Sequence, residues 1–228
     1  MMRNVTTLLF LGGLGFMLLV ITGTLDFGAP PMRIGTQIQQ ATPGDVGTAN
    51  IVTAVVLGYR GLDTLGELSI LFAAATAGGL VLGSAAARAR PDGGFILRAG
   101  ADLMFPLLLV AGLYIVMHGH LTPGGGFQGG VILAAAFFLP LLARPRTAPG
   151  HRWLMWIEGL SGATFIVIGL LALYRGEAFL TPLLDRGTLG ELVSGGTLPL
   201  LYLAVGLKVG AELAGLLMRL AQDDEVAS

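Results

Sequence analysis

The sequence predicts an all-α integral membrane protein of about six transmembrane helices, with one re-entrant or amphipathic segment before the second. Three observations lead there. Apolar residues make up 54% of the 228 and charged ones only 12%, with a mean hydropathy of +0.79, whereas a soluble domain carries roughly 25% charged residues. The apolar runs are continuous rather than alternating, which is the pattern of helices and not of a membrane barrel. Glycine is abundant, at 36 residues, as closely packed membrane helices require. The absence of cysteine excludes intrinsic disulfides, thiolate metal sites and iron–sulfur clusters. A formal net charge of -1 shows no electrostatic footprint for nucleic acid.

The first apolar run, residues 5–21, follows Met1-Met2-Arg3. A signal peptide has this shape too, but no small-x-small cleavage site follows, so a retained first helix is expected. Residues 26–43 are rich in turn formers, with Ala29-Pro30-Pro31, Gly35-Thr36-Gln37 and Thr42-Pro43-Gly44. They are expected to form an exposed connection along a surface. In the stretch 50–67 the apolar part, 51–57, is too short for about 30 Å of hydrocarbon. It reads as an amphipathic or re-entrant segment at the interface, or as a broken helix whose Arg60, Asp63 and Glu67 line a hydrated cavity. Thr64 with Glu67 three residues on has the pattern of a capping box, opening a second span over 68–87.

The third span covers 97–117, and Arg98 and Asp102, one helical turn apart, are expected to pair near the membrane face. The fourth covers 127–143 and stops at Arg144-Pro145-Arg146. The fifth, 153–174, carries Trp153, Trp156 and Tyr174 near its ends, as an aromatic belt would. A polar connection over 175–197 repeats Thr-Leu-Gly-Glu at 188–191, a second capping-box pattern. The sixth span, 198–220, ends in Asp223-Asp224-Glu225. With alternating spans, Arg3, Arg88, Arg90, Arg98, Arg144, Arg146, Arg152 and Arg219 share one side, against Arg33, Arg60, Arg175 and Arg186 on the other. The richer side is cytoplasmic, so both termini are expected there.

Between the third and fourth spans lies one polar break, His-Gly-His-Leu-Thr-Pro-Gly-Gly-Gly-Phe-Gln-Gly-Gly over 118–130. Pro123 resists helix, and Gly124, Gly125 and Gly126 permit φ angles that other residues avoid, so a tight turn is expected. Gly129 and Gly130 leave the start of the next helix bare for close backbone approach. At membrane depth such irregular backbone survives only under a cover of protein or water.

Candidate chemistry is sparse. Lys208, the single lysine beside 12 arginines, lies four residues before Glu212 within the sixth span. The two share a helical face and read either as a neutralised pair fixing helix register or as titratable groups in a proton or cation path. His118 and His120, at i and i+2, need a turn to act jointly. Hydrogen bonding within the turn and interfacial proton carriage are both open to them. With three histidines and no cysteine, a metal site lacks further ligands, and no cofactor is expected. The glycine spacing fits neither nucleotide fingerprint, and no Ser-His-Asp set or metalloprotease motif occurs. The isolated chain reads as no enzyme.

The Pro-Gly-Gly-Gly-Phe-x-Gly-Gly core of 118–130 resembles the B subunit (MnhB/MrpB-type) of Mrp multisubunit cation/proton antiporters. Membrane-bound hydrogenases and related respiratory complexes carry the same subunit type. The resemblance runs from about residue 98 to 220 and includes Phe179-Leu180-Thr181. The stretch 50–67, with Asn-x-Val-Thr-Ala and Arg-Gly-x-Asp-Thr-Leu-Gly-Glu, is similar instead to the small E-type hydrogenase subunit, the counterpart of the C-terminal end of the large Mrp A-type protein. The chain thus looks like a fusion, with residues 1–92 as the E-type segment and 93–228 as the B-like domain. The resemblance implies a non-catalytic subunit of a sodium/proton antiport module in the cell membrane, beside larger complex-I-like subunits. It carries no residue roles, so the ion-path candidates rest on the chemistry above. A purely structural spacer and a stand-alone carrier are the rival expectations.

Overall fold

The computed structural model describes residues 2–24, 33–82, 92–144 and 151–223. Eight α-helices lie in them: α1 Met2–Thr24, α2 Arg33–Asp45, α3 Ile51–Thr53, α4 Gly61–Leu82, α5 Phe95–Met117, α6 Gly126–Ala143, α7 His151–Tyr174 and α8 Leu198–Asp223. No strand occurs among the described residues. Six helices, α1 and α4 to α8, are long and apolar enough to cross a membrane. This is the all-α, six-span class that the composition predicts.

α1 falls, with the first residues of α2, in a smaller unit, residues 1–37, and its apolar side chains are not buried there. The larger unit is organised around α8, which packs on α4, α5, α6 and α7 and is the most buried of the six spans. Small residues make these contacts possible. A Cβ on Gly130 would lie 2.9 Å from the Gly206 carbonyl, and one on Gly126 would lie 2.9 Å from the Gly206 nitrogen. Between α5 and α6, a Cβ on Gly129 would lie 2.8 Å from the Gly112 carbonyl. In a bilayer no hydrophobic force draws helices together, so dispersion across such close approaches carries the packing.

Four local expectations are corrected. Residues 33–45 are mostly exposed, as expected, but form the helix α2 rather than a run of turns; 25–32 lie outside the described residues. The prolines and glycines hid a helix that buries Thr42 and runs through Pro43 to a left-handed Gly47 at φ 72°. The second span starts at Gly61, so Thr64 and Glu67 sit inside α4 and make no capping box. The Thr64 hydroxyl instead donates to the Val56 carbonyl at 2.6 Å. That carbonyl belongs to a π-helical turn, Ala54–Tyr59, which continues α3 until the chain breaks at Arg60. The second Thr-Leu-Gly-Glu, 188–191, forms a turn closed by Glu191 N donating to the Thr188 carbonyl at 3.1 Å, well before α8 begins. Asp102 pairs with Arg144 rather than Arg98: both guanidinium Nη atoms donate to its carboxylate at 2.7 Å, which ties α5 to the end of α6.

The connection 175–197 is anchored by Leu180, fully buried at φ 65°. Gly61 makes room for it, since a Cβ there would lie 2.6 Å from the Leu180 Cδ1. The left-handed conformation costs about 1–2 kcal/mol, which burial of a leucine offsets with roughly 1.5–3 kcal/mol.

Gly130→Leu is expected to destabilise the bundle by roughly 1–3 kcal/mol through overpacking, seen as a lower thermal midpoint in detergent. Gly12→Ala in α1, where a Cβ meets nothing within 4 Å, is expected to leave the midpoint unchanged.

Candidate functional site

Two polar clusters interrupt the apolar interior. The first forms where the turn after α5 meets the short α3. Leu121 N and Thr122 N both donate to the His118 carbonyl at 2.9 Å, and Gly125 N returns to the Ile115 carbonyl at 3.2 Å. Gly124 and Gly125 adopt φ 159° and 137°, and Gly126 opens α6. Pro123 lies at the exposed tip. The turn leaves the carbonyls of residues 119, 120 and 122 without intrahelical partners, and the segment 48–53 supplies them.

Asn50 Nδ2 donates to the Gly119 carbonyl at 2.8 Å and to the Thr122 carbonyl at 2.9 Å, while its Oδ1 caps α3 by accepting from Val52 N at 3.0 Å. Asn50 N and the Thr48 hydroxyl donate to the His120 carbonyl. The Thr53 hydroxyl bonds the Gly119 carbonyl at 2.7 Å and meets the Tyr202 hydroxyl of α8 at 2.6 Å. One asparagine, two threonines and a tyrosine thus cover the irregular backbone that the sequence requires protein to cover. The turn itself was legible; its partners were not singled out, although Asn50 and Thr53 stand in the Asn-x-Val-Thr-Ala stretch.

The structure separates His118 from His120. The His118 ring stacks on Tyr114 with centroids 4.1 Å apart, and its Nδ1 lies 3.0 Å from the Tyr114 carbonyl. His120 is fully buried, and its ring nitrogens make no hydrogen bond of good geometry among the described residues, although the backbone of Glu191 and Leu192 lies close to the ring. Burial pushes its proton affinity below the usual imidazole value, the backbone of Glu191 and Leu192 works the other way, and the nearby His118 adds to the depression.

The second cluster lies midway along α8. Lys208 Nζ donates to Glu212 Oε2 at 3.0 Å, and the pair is almost entirely shielded. The same ammonium lies 3.9 Å from Glu158 Oε1 on α7 and 5.2 Å from the centre of the Phe72 ring on α4, within cation–π range. Its alkyl stem packs beside Gly162 on α7, where a Cβ would make an ordinary contact with the Lys208 Cδ at 3.6 Å. Glu212 Oε1 has no partner among the described residues. A cavity of about 460 Å³ borders the cluster, lined among others by Phe72, Thr76, Glu158, Glu212 and Arg219. Glu158 is not among the candidates above, although, as an ionisable residue inside an apolar span, it carries the same signal as Lys208 and Glu212.

Arg60, Asp63 and Glu67 do not join this cluster. Arg60 and Asp63 pair with each other at 2.5 Å on the exposed start of α4, and Glu67 is exposed one turn on. Among the described residues, no three histidine or acidic side chains gather as a metal site would require.

Residues 96–215 match the family described as "Domain related to MnhB subunit of Na+/H+ antiporter". The chain belongs to that family. An uncharacterized protein of Methanocaldococcus jannaschii is 32% identical to this MnhB-related chain over 196 residues, 73% of it and 74% of the relative. A Rhizobium meliloti protein, named as the A/B component of a probable K(+)/H(+) antiporter, is 26% identical over 222 residues, 79% of this chain but only 21% of that longer one. Among solved structures, a chain of the membrane-bound sulfane sulfur reductase, an archaeal respiratory membrane complex, superposes with a TM-score of 0.80 at 37% identity, covering 96% of this chain and 98% of that one. A chain of the Mrp complex from Dietzia sp. DQ12-45-1b superposes with a TM-score of 0.75 at 25% identity, covering 99% of this chain and 26% of that one. The matched region 96–215 holds the glycine turn, Glu158, Lys208 and Glu212, whereas Asn50 and Thr53 precede it.

Two outcomes follow for the turn. Asn50→Ala removes the side-chain donor to the Thr122 carbonyl and leaves the Gly119 carbonyl with the Thr53 hydroxyl alone, and is expected to cost about 1–3 kcal/mol, read as a lower thermal midpoint. For His120, the unfolded chain takes up a proton near the ordinary value of 6.5 that the folded one refuses. Stability is therefore full above that pH and falls as the pH drops below it. His120→Leu is expected to flatten this acid slope in midpoints measured across pH.

Proposed function

We propose that this MnhB-related chain is a non-catalytic subunit of a sodium/proton antiport module, either a free Mrp-type antiporter or one built into a redox complex. The observation that carries the reading is the Lys208–Glu212 pair, an ammonium and a carboxylate held 3.0 Å apart halfway along the most buried span. Ionisable groups at that depth mark ion and proton routes. The Mrp complex chain and the probable K(+)/H(+) antiporter relative support the setting, since each likeness falls within a much longer chain.

In this reading Lys208 and Glu212 line the route, while Arg60, Asp63, Glu67, His118 and His120 border or stabilise it. Other membrane subunits cover the exposed apolar helix faces, and the lipid bilayer covers the rest. The chain lies in the cell membrane with both termini in the cytoplasm, which turns the 118–130 loop outward. Residues 1–92 and 93–228 correspond to two pieces joined in one chain, an arrangement in keeping with the A/B designation of the longer relative. A second reading, a structural spacer, draws on the glycine contacts of α6 and α8, which would hold neighbouring subunits in place with no part in transport.

Glu212→Gln in the assembled complex separates the two. Sodium-driven proton movement in proteoliposomes is expected to fall with subunit composition unchanged. Exchange at the normal rate would leave only the spacer reading for this pair.

A further inference from the structure

Lys208 and Glu212 alone would make a complete neutral pair. Glu158 changes the arithmetic, because its carboxylate reaches the same ammonium from another helix at 3.9 Å. Two carboxylates then face one lysine, and one formal negative charge is left over in a region that tolerates charge poorly. The other cation on the cavity wall, Arg219, lies about 10 Å further along α8 from Glu212, where its guanidinium packs beside Gly79. From α4 the cavity receives Phe72, Ala75, Thr76 and Leu80, none of them charged. Glu212 contributes a second, independent sign of a missing ligand, since its Oε1 is buried and has no partner among the described residues.

We propose that Glu158 and Glu212 form a shared proton site, with Lys208 as a counter-charge that moves between them. A dehydrated sodium ion needs a shell of several oxygens, and among the described residues the side-chain oxygens on this cavity come from Thr76, Glu158 and Glu212. A proton needs one lone pair. The cavity has room for several waters, so a hydronium ion there gives its proton to one carboxylate and becomes water, forming one O–H bond as another breaks. Lys208 stays an ammonium throughout and swings toward the carboxylate that remains ionised. Release reverses the step. The cluster thus alternates between a charge of minus one and zero. This rests on the antiport reading and adds to it the residue through which the proton passes.

The test uses the assembled complex in proteoliposomes, with sodium-driven proton movement followed by a pH dye. Glu158→Gln is expected to slow exchange roughly tenfold or more with subunit composition intact, and Glu158→Asp, which keeps the carboxyl group, to recover part of it. Dicyclohexylcarbodiimide, which reacts with protonated carboxyls in apolar surroundings, is expected to label Glu158 or Glu212 in the unmodified complex, less as pH rises. Normal exchange in Glu158→Gln beside impaired exchange in Glu212→Gln overturns the shared site and leaves the antiport reading standing. Normal exchange in both overturns both. Should Glu158→Gln fail to assemble, the labelling decides: no adduct on either carboxylate at any pH where the complex is active overturns the site.

Discussion

Helix α8 can occupy the centre of this chain only because its neighbours present hydrogen where other residues carry a methyl. Gly126 and Gly130 of α6 meet Gly206, and Gly210 faces the Gly130 carbonyl at 3.3 Å from its would-be Cβ. Gly112 and Gly129 join α5 to α6 in the same way. Lipid tails compete with leucine on equal terms, so bulky apolar side chains would gain little by facing protein. Backbone-to-backbone approach gains contacts that lipid cannot supply. Both polar clusters are held in place by that arrangement.

The two clusters depend on it at different depths. Tyr202 lies one turn into α8 and meets Thr53, so the outer network closes on the central helix. Lys208 is about 9 Å further along and Glu212 about 15 Å, which puts them near the middle of a span some 30 Å long. One rigid helix therefore links a hydrogen-bonded cap at the surface to an ionised cluster at mid-depth. A tilt or rotation of α8 would disturb both.

Long-range partners are where sequence reading ran out. The six spans are legible because apolar runs of that length have few alternatives, and the turn at 118–130 because Pro and Gly dictate local geometry. The Lys208–Glu212 bond follows from i, i+4 spacing alone. Glu158 meets Lys208 across two helices, however, and no spacing rule spans a loop of unknown path. The same holds for Arg144 replacing Arg98 at Asp102: the local pairing was available, but a bidentate guanidinium from another helix end fits the carboxylate better. In α2 the failure is of another kind. Pro43 and Gly44 suggested a turn, yet a helix accepts them in its last turn while the glutamines before them and buried Thr42 hold it together.

The outer network also bears on the proposed fusion of the two segments. The bonds from residues 48–53 run to residues 118–122 and to Tyr202, so they connect the segment before residue 92 to the region after 93. Where those segments are separate polypeptides, as the fusion proposal holds, such bonds would span a boundary between proteins and form only at the concentration of the partner. Covalent linkage converts them to an intramolecular contact with a high effective concentration. The turn's carbonyls then find their donors within the same chain before any further subunit docks. Near a membrane face, where irregular backbone persists only under a cover of protein or water, these bonds pair the turn's carbonyls within one chain.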